Sequence, residues 1–257
     1  MHNWTRRSGA IISDVSAGHP VSLPLTGERT TPGLSHENYW FRRHEAAYAA
    51  LGPLCAGSRV LDAGSGEGYG AAAARQAGAT TVVALDYDPV AVECAARTYR
   101  LPAIQGNLVD LPFADDVFDL VLSLQTLEHV WNQPRFVAEC ARVLRPGGRL
   151  ALTTPNRLTF PPGNPFHARE VDVRELRVLA ESSPFQVETL LGLRHGDRIA
   201  AYEREHGDLV TAQLGSDPDR WPDRLGAFVA SVTAGDFVFS SGDLDTSLDL
   251  LLVAVRT

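Results

Sequence analysis

The chain has 257 residues, 44% hydrophobic and 21% charged, with a formal net charge of −8. That length and balance fit one large α/β domain, and an acidic chain without a basic stripe argues against a nucleic-acid partner, whose phosphates must be neutralised for affinity. All 23 Lys and Arg positions are arginine, which excludes an internal lysine Schiff base, a lysine general base and the phosphate lysine of a P-loop.

Residues 1–34 are rich in turn formers, among them Gly18, Pro20, Pro24, Gly27, Pro32 and Gly33, and read as an irregular N-terminal arm. Arg6-Arg7 looks like the start of a twin-arginine export signal. The stretch after it holds Asp14, His19 and Pro20 in place of an apolar core, so no signal peptide is expected. A helix is predicted over 35–51, capped by Ser35 and stopped by Gly52-Pro53. Strands are predicted at 59–63, 81–85, 103–104, 117–124, 149–153 and 185–191, with helices at 68–77, 89–99, 133–144 and 171–180. Alternation at this spacing makes βαβ units and a parallel sheet with helices on both faces. The region 195–234 breaks the rhythm and reads as a polar, helical insertion. A last buried strand is predicted at 247–255. The whole is one domain over 35–257 with its core at 56–192. Cys55, Cys94 and Cys140 form no C-x-x-C pair and read as buried apolar residues of a cytoplasmic protein. No apolar run approaches the length of a membrane span.

The strongest motif is Val60-Leu61-Asp62-Ala63-Gly64-Ser65-Gly66-Glu67-Gly68, a strand running into a glycine-rich turn and then a helix. Taken alone it is a weak signal, since any tight strand-to-helix turn can look this way. Asp86 closes the second strand about 20 residues further on, where an acid can accept ribose hydroxyls, and Gly106-Asn107-Leu108 follows the third. A phosphate site at a helix N-terminus favours a neutral turn. Here Asp62 and Glu67 bracket it, which repels a pyrophosphate and tolerates a cation. An NAD-dependent oxidoreductase is disfavoured on that ground.

With these residues the chain resembles the class I S-adenosylmethionine-dependent methyltransferases. Their acid-x-Gly-x-Gly-x-Gly motif is complete in Asp62 through Gly68, their second-strand acid matches Asp86, and their Leu-x-Pro-Gly-Gly signature matches Leu144-Arg145-Pro146-Gly147-Gly148. The third turn departs from the family, with Asn107-Leu108 where Asp usually precedes a small residue. The resemblance implies a Rossmann-like fold with a mostly parallel seven-stranded sheet, an N-terminal helical lid and an insertion before the last strand. It implies S-adenosylmethionine as cofactor, contacted by Asp62, Gly64, Ser65 and Gly66 at the first turn, Asp86 and Tyr87 at the second, Asn107 and Leu108 at the third, and Gln125 after the fourth strand. Tyr39, Trp40 and Arg43 are expected to form the lid, with Arg43 near the cofactor carboxylate. The alternative for that helix is simple packing on the sheet.

Ligands in such sheets bind beyond the carboxyl ends of the strands. The loops that leave two central strands there carry Glu128-His129 and His167, the expected catalytic residues, since histidine titrates near neutrality. The plainer alternatives are a Glu-His pair bracing its loop and a His167 that caps the next helix. Gln125-x-x-Glu128-His129 also resembles the Glu-x-x-Glu-His metal loop of some O-methyltransferases, with Gln125 in place of the first acid. A divalent ion on Glu128, His129 and His167 is therefore a second possibility. The Asn/Asp-Pro-Pro-aromatic loop of amino-group methyltransferases is replaced by Leu124-Gln125-Thr126-Leu127, which favours O-methylation over N- or C-methylation of a small molecule. A catalytically dead binding protein would not need an intact first motif. The flanks Leu25–Thr30, Glu37–His44, Thr154–Arg157 and Asn164–His167 resemble an actinobacterial group associated with methylglucose lipopolysaccharide, which implies a saccharide hydroxyl as acceptor. The insertion, with Arg194, His195, Arg198, Tyr202 and Trp221, is expected to wall the acceptor pocket together with the arm.

Overall fold

The computed structural model describes residues 30–257; the arm before Thr30 lies outside the described residues. Strands β1 (Arg59–Ala63), β2 (Thr81–Asp86), β3 (Ala103–Gln105), β4 (Phe118–Leu124), β5 (Leu144–Pro155), β6 (Phe185–His195), β7 (Phe237–Ser240) and β8 (Asp249–Arg256) form one sheet in the order β3-β2-β1-β4-β5-β8-β6-β7. The pairs from β3 to β5 are parallel, while β8 runs antiparallel between β5 and β6, and β7 antiparallel to β6. This is a Rossmann-like α/β fold whose order reverses between β1 and β4, so the crevice for a ligand opens at their carboxyl ends.

The central strands are apolar on both faces because both faces are covered. Successive side chains alternate: Leu61 packs with Phe136, Val137 and Leu176 of helices α4 (Gln133–Val143) and α5 (Val173–Glu181). Its neighbour Val60 packs with Leu51, Ala71 and Ala95 of α1 (Asn38–Cys55), α2 (Tyr69–Gln76) and α3 (Pro89–Thr98).

The sheet has eight strands, not the seven expected. The unforeseen one is β7. It exists because β6 runs four residues past its predicted end at Leu191, and buried backbone groups need partners. Gly192–His195 pair with Phe237–Ser240 on their open side. Helix α1 also differs from expectation. It starts at Asn38, Glu37 makes no side-chain cap, and it continues through Pro53 to Cys55. A proline deprives the carbonyl four residues earlier of its bond. That residue, Ala49, is exposed, so water can replace the lost donor.

The region after β6 folds as α6 (Asp197–His206), α7 (Leu209–Leu214) and α8 (Asp223–Ser231). Its apolar side chains Ile199, Leu209, Leu225 and Val229 cluster with Tyr39 and Ala46 of α1. Asn38 Nδ2 donates to the carbonyls of Val229 at 2.9 Å and Val232 at 2.8 Å, which closes the end of α8. No helix among the described residues is long and apolar enough to cross a membrane.

Candidate active site

The first glycine turn packs against the loop after β4. A Cβ on Gly64, at φ +86°, would lie 2.4 Å from the Thr126 side chain, so only glycine permits this approach. The N–H groups of Gly64 and Ser65 donate to the Leu85 carbonyl at 2.8 and 2.9 Å. Asp86 Oδ2 accepts from Gly66 N–H at 2.8 Å, and Oδ1 accepts from Asp88 N–H at 2.9 Å. A carboxylate has about four acceptor positions, so Asp86 can hold the turn and still receive hydroxyls.

Gly64, Ser65, Gly66, Glu67, Leu124 and Gln125 line one side of an open pocket. Thr30, His44, Tyr48 and Tyr69 close its other side. Ser65 Oγ is buried with no hydrogen-bond partner among the described residues. Buried hydroxyls are normally paired, so this one suits a polar ligand. Under the turn, Asp62 is fully buried and accepts from Tyr48 Oη at 3.2 Å. Burial pushes its carboxyl up to about 7, against the opposing effect of the Tyr48 bond. Tyr48 reaches it because the second residue of α2 is a glycine: a Cβ on Gly70 would sit 1.9 Å from the tyrosine ring.

The lid helix meets the pocket with a different face from the one expected. Trp40, His44 and Tyr48 lie four residues apart and share a face; His44 and Tyr48 are the two that line the pocket. Tyr39 and Arg43 sit one residue behind, rotated by about 100°. Tyr39 is fully buried with its hydroxyl 2.7 Å from His195 Nε2, and Arg43 makes two bonds to Asp249 at 2.6 and 2.5 Å. Neither lines this pocket, and both side chains have protein partners instead. The i, i+4 spacing of His44 and Tyr48 was the available signal.

At the ends of β4 and β5, Glu128, His129 and His167 place one ligand atom each within 4.8 Å of one another. Glu128 is 1% exposed and accepts from Thr154 Oγ1 at 3.1 Å; burial raises its carboxyl to about 8. His129 Nδ1 lies 3.0 Å from the Phe166 carbonyl. His167 Nδ1 is 2.7 Å from Glu170 Oε1, and its Nε2 is 3.0 Å from Asn164 Nδ2.

A family model described as "Methyltransferase domain" matches residues 61–152. A probable S-adenosylmethionine-dependent methyltransferase of Mycolicibacterium smegmatis is 47% identical, covering 95% of this chain and 100% of that one. The chain belongs to the S-adenosylmethionine-dependent methyltransferases. A second probable member, from Mycobacterium tuberculosis, is 45% identical over 94% of this chain and 92% of its own length. The fold is shared with a geranyl diphosphate methyltransferase solved with S-adenosylmethionine, at TM-score 0.58 and 19% identity over 88% of this chain and 93% of that one.

The methyltransferase's glycine turn and the acid after β2 fit that cofactor in three respects: the buried Ser65 hydroxyl, the Glu67 carboxylate beside a cationic ligand, and the open acceptor positions of Asp86. Tyr87 (78% exposed) follows β2, and Asn107 and Leu108 follow β3. Asn107 Oδ1 turns back onto Val109 N–H at 3.0 Å, and Leu108 packs partly on the core. Replacing Asp86 with alanine is expected to weaken cofactor binding about tenfold or more, the worth of a charged hydrogen bond. Calorimetry with S-adenosylhomocysteine reads this, and an unchanged affinity removes Asp86 from the site.

A divalent ion does not fit the three-residue cluster as it stands. Both nitrogens of His167 already have protein partners, which leaves only Glu128 and His129 of the three to ligate. Turnover is therefore expected to survive excess chelator. A loss restored by magnesium or manganese would reinstate the ion. The polar side chains of the insertion are engaged locally: Arg194 bonds Thr246, His195 bonds Tyr39 and Glu203, and Arg198 bonds Asp236. None of them lines the cofactor pocket.

Proposed function

We propose that this methyltransferase methylates a hydroxyl of a small polar acceptor, a saccharide, with His129 as the group that takes the hydroxyl proton. The observation that carries this reading is the His129 ring, 27% exposed and beside Glu128, on the loop that begins at the pocket with Leu124 and Gln125. S-adenosylmethionine supplies a methyl on a sulfonium, with a neutral thioether as leaving group. What falls to the protein is alignment of the acceptor and removal of its proton.

Glu128 supports this role. Its Oε1 lies 4.0 Å from His129 Nε2, and burial favours its neutral form. Trp131 follows two residues later and is 89% exposed. An exposed indole face suits the apolar C–H face of a sugar ring. A relative from Mycobacterium leprae, 30% identical over 76% of this chain and 67% of its own, is named for phthiotriol and phenolphthiotriol dimycocerosates. A name built on "triol" agrees with a hydroxyl acceptor. The saccharide itself rests on the resemblance of the flanking segments. Labelled cofactor tested against sugars, glycolipids, phenols and amines decides the class. Transfer confined to amines or to carbon would sink the reading.

A further inference from the structure

Two histidines meet near the end of β4, and their surroundings set them apart. The Phe166 carbonyl can only accept, so at 3.0 Å it requires the proton of His129 on Nδ1. The lone pair of the neutral ring is then on Nε2, the nitrogen that faces Glu128. His167 is held at both ring nitrogens. Its Nδ1–H donates to Glu170, and its Nε2 accepts from the Asn164 amide, so its basic nitrogen is already engaged. The Asn164 side chain has a second bond, accepting from Phe166 N–H at 3.0 Å through Oδ1. The same loop is tied to the turn after β4 by Ala168 and Arg169, whose N–H groups donate to the Glu128 carbonyl at 2.8 and 3.1 Å. The rings of His129 and His167 stand edge to face at 5.0 Å.

We infer that Asn164 and His167 are positioning residues that select the Nδ1–H tautomer of His129 by holding the Phe166 carbonyl against it. This rests on the reading of His129 as the proton acceptor. It removes His167 from the role of base. A carbonyl that accepts at Nδ1 fixes where the basic nitrogen points, which is how a second partner commonly orients a catalytic imidazole. The bond from Phe166 N–H to Asn164 Oδ1 holds the peptide just before this carbonyl, the His167 N–H of the carbonyl's own peptide donates to the Asn164 backbone carbonyl at 3.3 Å, and the His167–Glu170 pair holds the far side of the loop.

The test joins a spectroscopic reading to kinetics. In full-length protein labelled with ¹⁵N-histidine, the ring nitrogens of His129 are expected to report a proton on Nδ1 and none on Nε2, with the His129→Ala variant assigning the signals. In Asn164→Ala the Nε2–H form should appear, and kcat should fall about five- to tenfold, the worth of one hydrogen bond, with the affinity for S-adenosylhomocysteine unchanged. Asn164→Asp keeps an acceptor for Phe166 N–H and should recover the wild-type tautomer. In the His129→Ala background, Asn164→Ala should cost nothing further. An unchanged His129 tautomer in both Asn164→Ala and His167→Phe overturns the inference, whatever the activity. A changed tautomer with His129→Ala fully active supports the positioning role and overturns His129 as base.

Discussion

Replacement of His129 by alanine is expected to lower kcat by about a hundredfold or more, the usual contribution of a positioned general base. A hundredfold is about 2.7 kcal/mol of transition-state stabilisation. A hydroxyl is a weak nucleophile at neutral pH, so losing the proton acceptor acts on the chemical step. The ring is not among the pocket-lining residues, whose polar contacts come from the glycine turn, α1 and Gln125. Cofactor affinity should therefore hold while kcat falls. Single-turnover transfer and calorimetry on the same variant separate the two. A fall in affinity that matches the fall in rate would move His129 from chemistry to binding. Unchanged turnover would remove the base altogether.

The ligand-free protein is expected to lose stability as pH rises from 6.5 to 8. Burial raises the Glu128 carboxyl to about 8 and that of Asp62 to about 7, while in the unfolded chain both ionise near pH 4. Across that interval the folded chain keeps protons that the unfolded chain has lost, so stability falls with rising pH. The contribution is complete below pH 4 and gone once each folded value is passed. His44 works the other way: burial lowers it to about 4, so its effect is lost as pH falls below its unfolded value near 6.5. The carboxylates held low by arginines, such as Asp119 bonded by Arg59, act in acid only. The window from 6.5 to 8 is thus dominated by Glu128, with Asp62 in its lower part and a smaller fall near pH 8 from the buried Cys55, Cys94 and Cys140 thiols, which burial raises. Each pH unit is worth about 1.4 kcal/mol per group, and 1 kcal/mol moves the melting temperature of a domain this size by about 2–4 °C. The expected fall is on the order of 5 °C. Glu128→Gln should remove most of it and Asp62→Asn the remainder. A melting temperature that is flat or rising across this window would show that the two acids are ionised in the fold.

The parallel core was readable in sequence because its signals are local. Val82–Leu85 and Leu120–Leu122 are apolar without alternation, and strands covered on both faces are written that way. The turn from Asp62 to Gly68 is contiguous, so its chain path follows from the residues themselves. Strand β7 was equally local, since Phe237-Val238-Phe239-Ser240 is a strand-forming run between Gly235 and Gly242. Its four residues are too few to stand out, and it forms only because the extended end of β6 offers it an edge. The break expected at Gly52-Pro53 followed the general rule for proline; the rule gave way where the orphaned carbonyl faced solvent.

What the sequence determined alone is the order of the elements, the glycine turn with its acids, and membership of a methyltransferase fold. Tertiary structure decided the partners of side chains far apart in the chain. A step of one residue rotates a helix by about 100°, so the same helix gives His44 and Tyr48 to the pocket and sends Arg43 to Asp249, 206 positions away. No local pattern records which face of α1 will meet the sheet, because β8 and the insertion take their places only when the chain is closed. The difference between His129 and His167 has the same origin: it lies in which groups reach each ring nitrogen, and Phe166 and Asn164 reach them only through the packing of one loop against another.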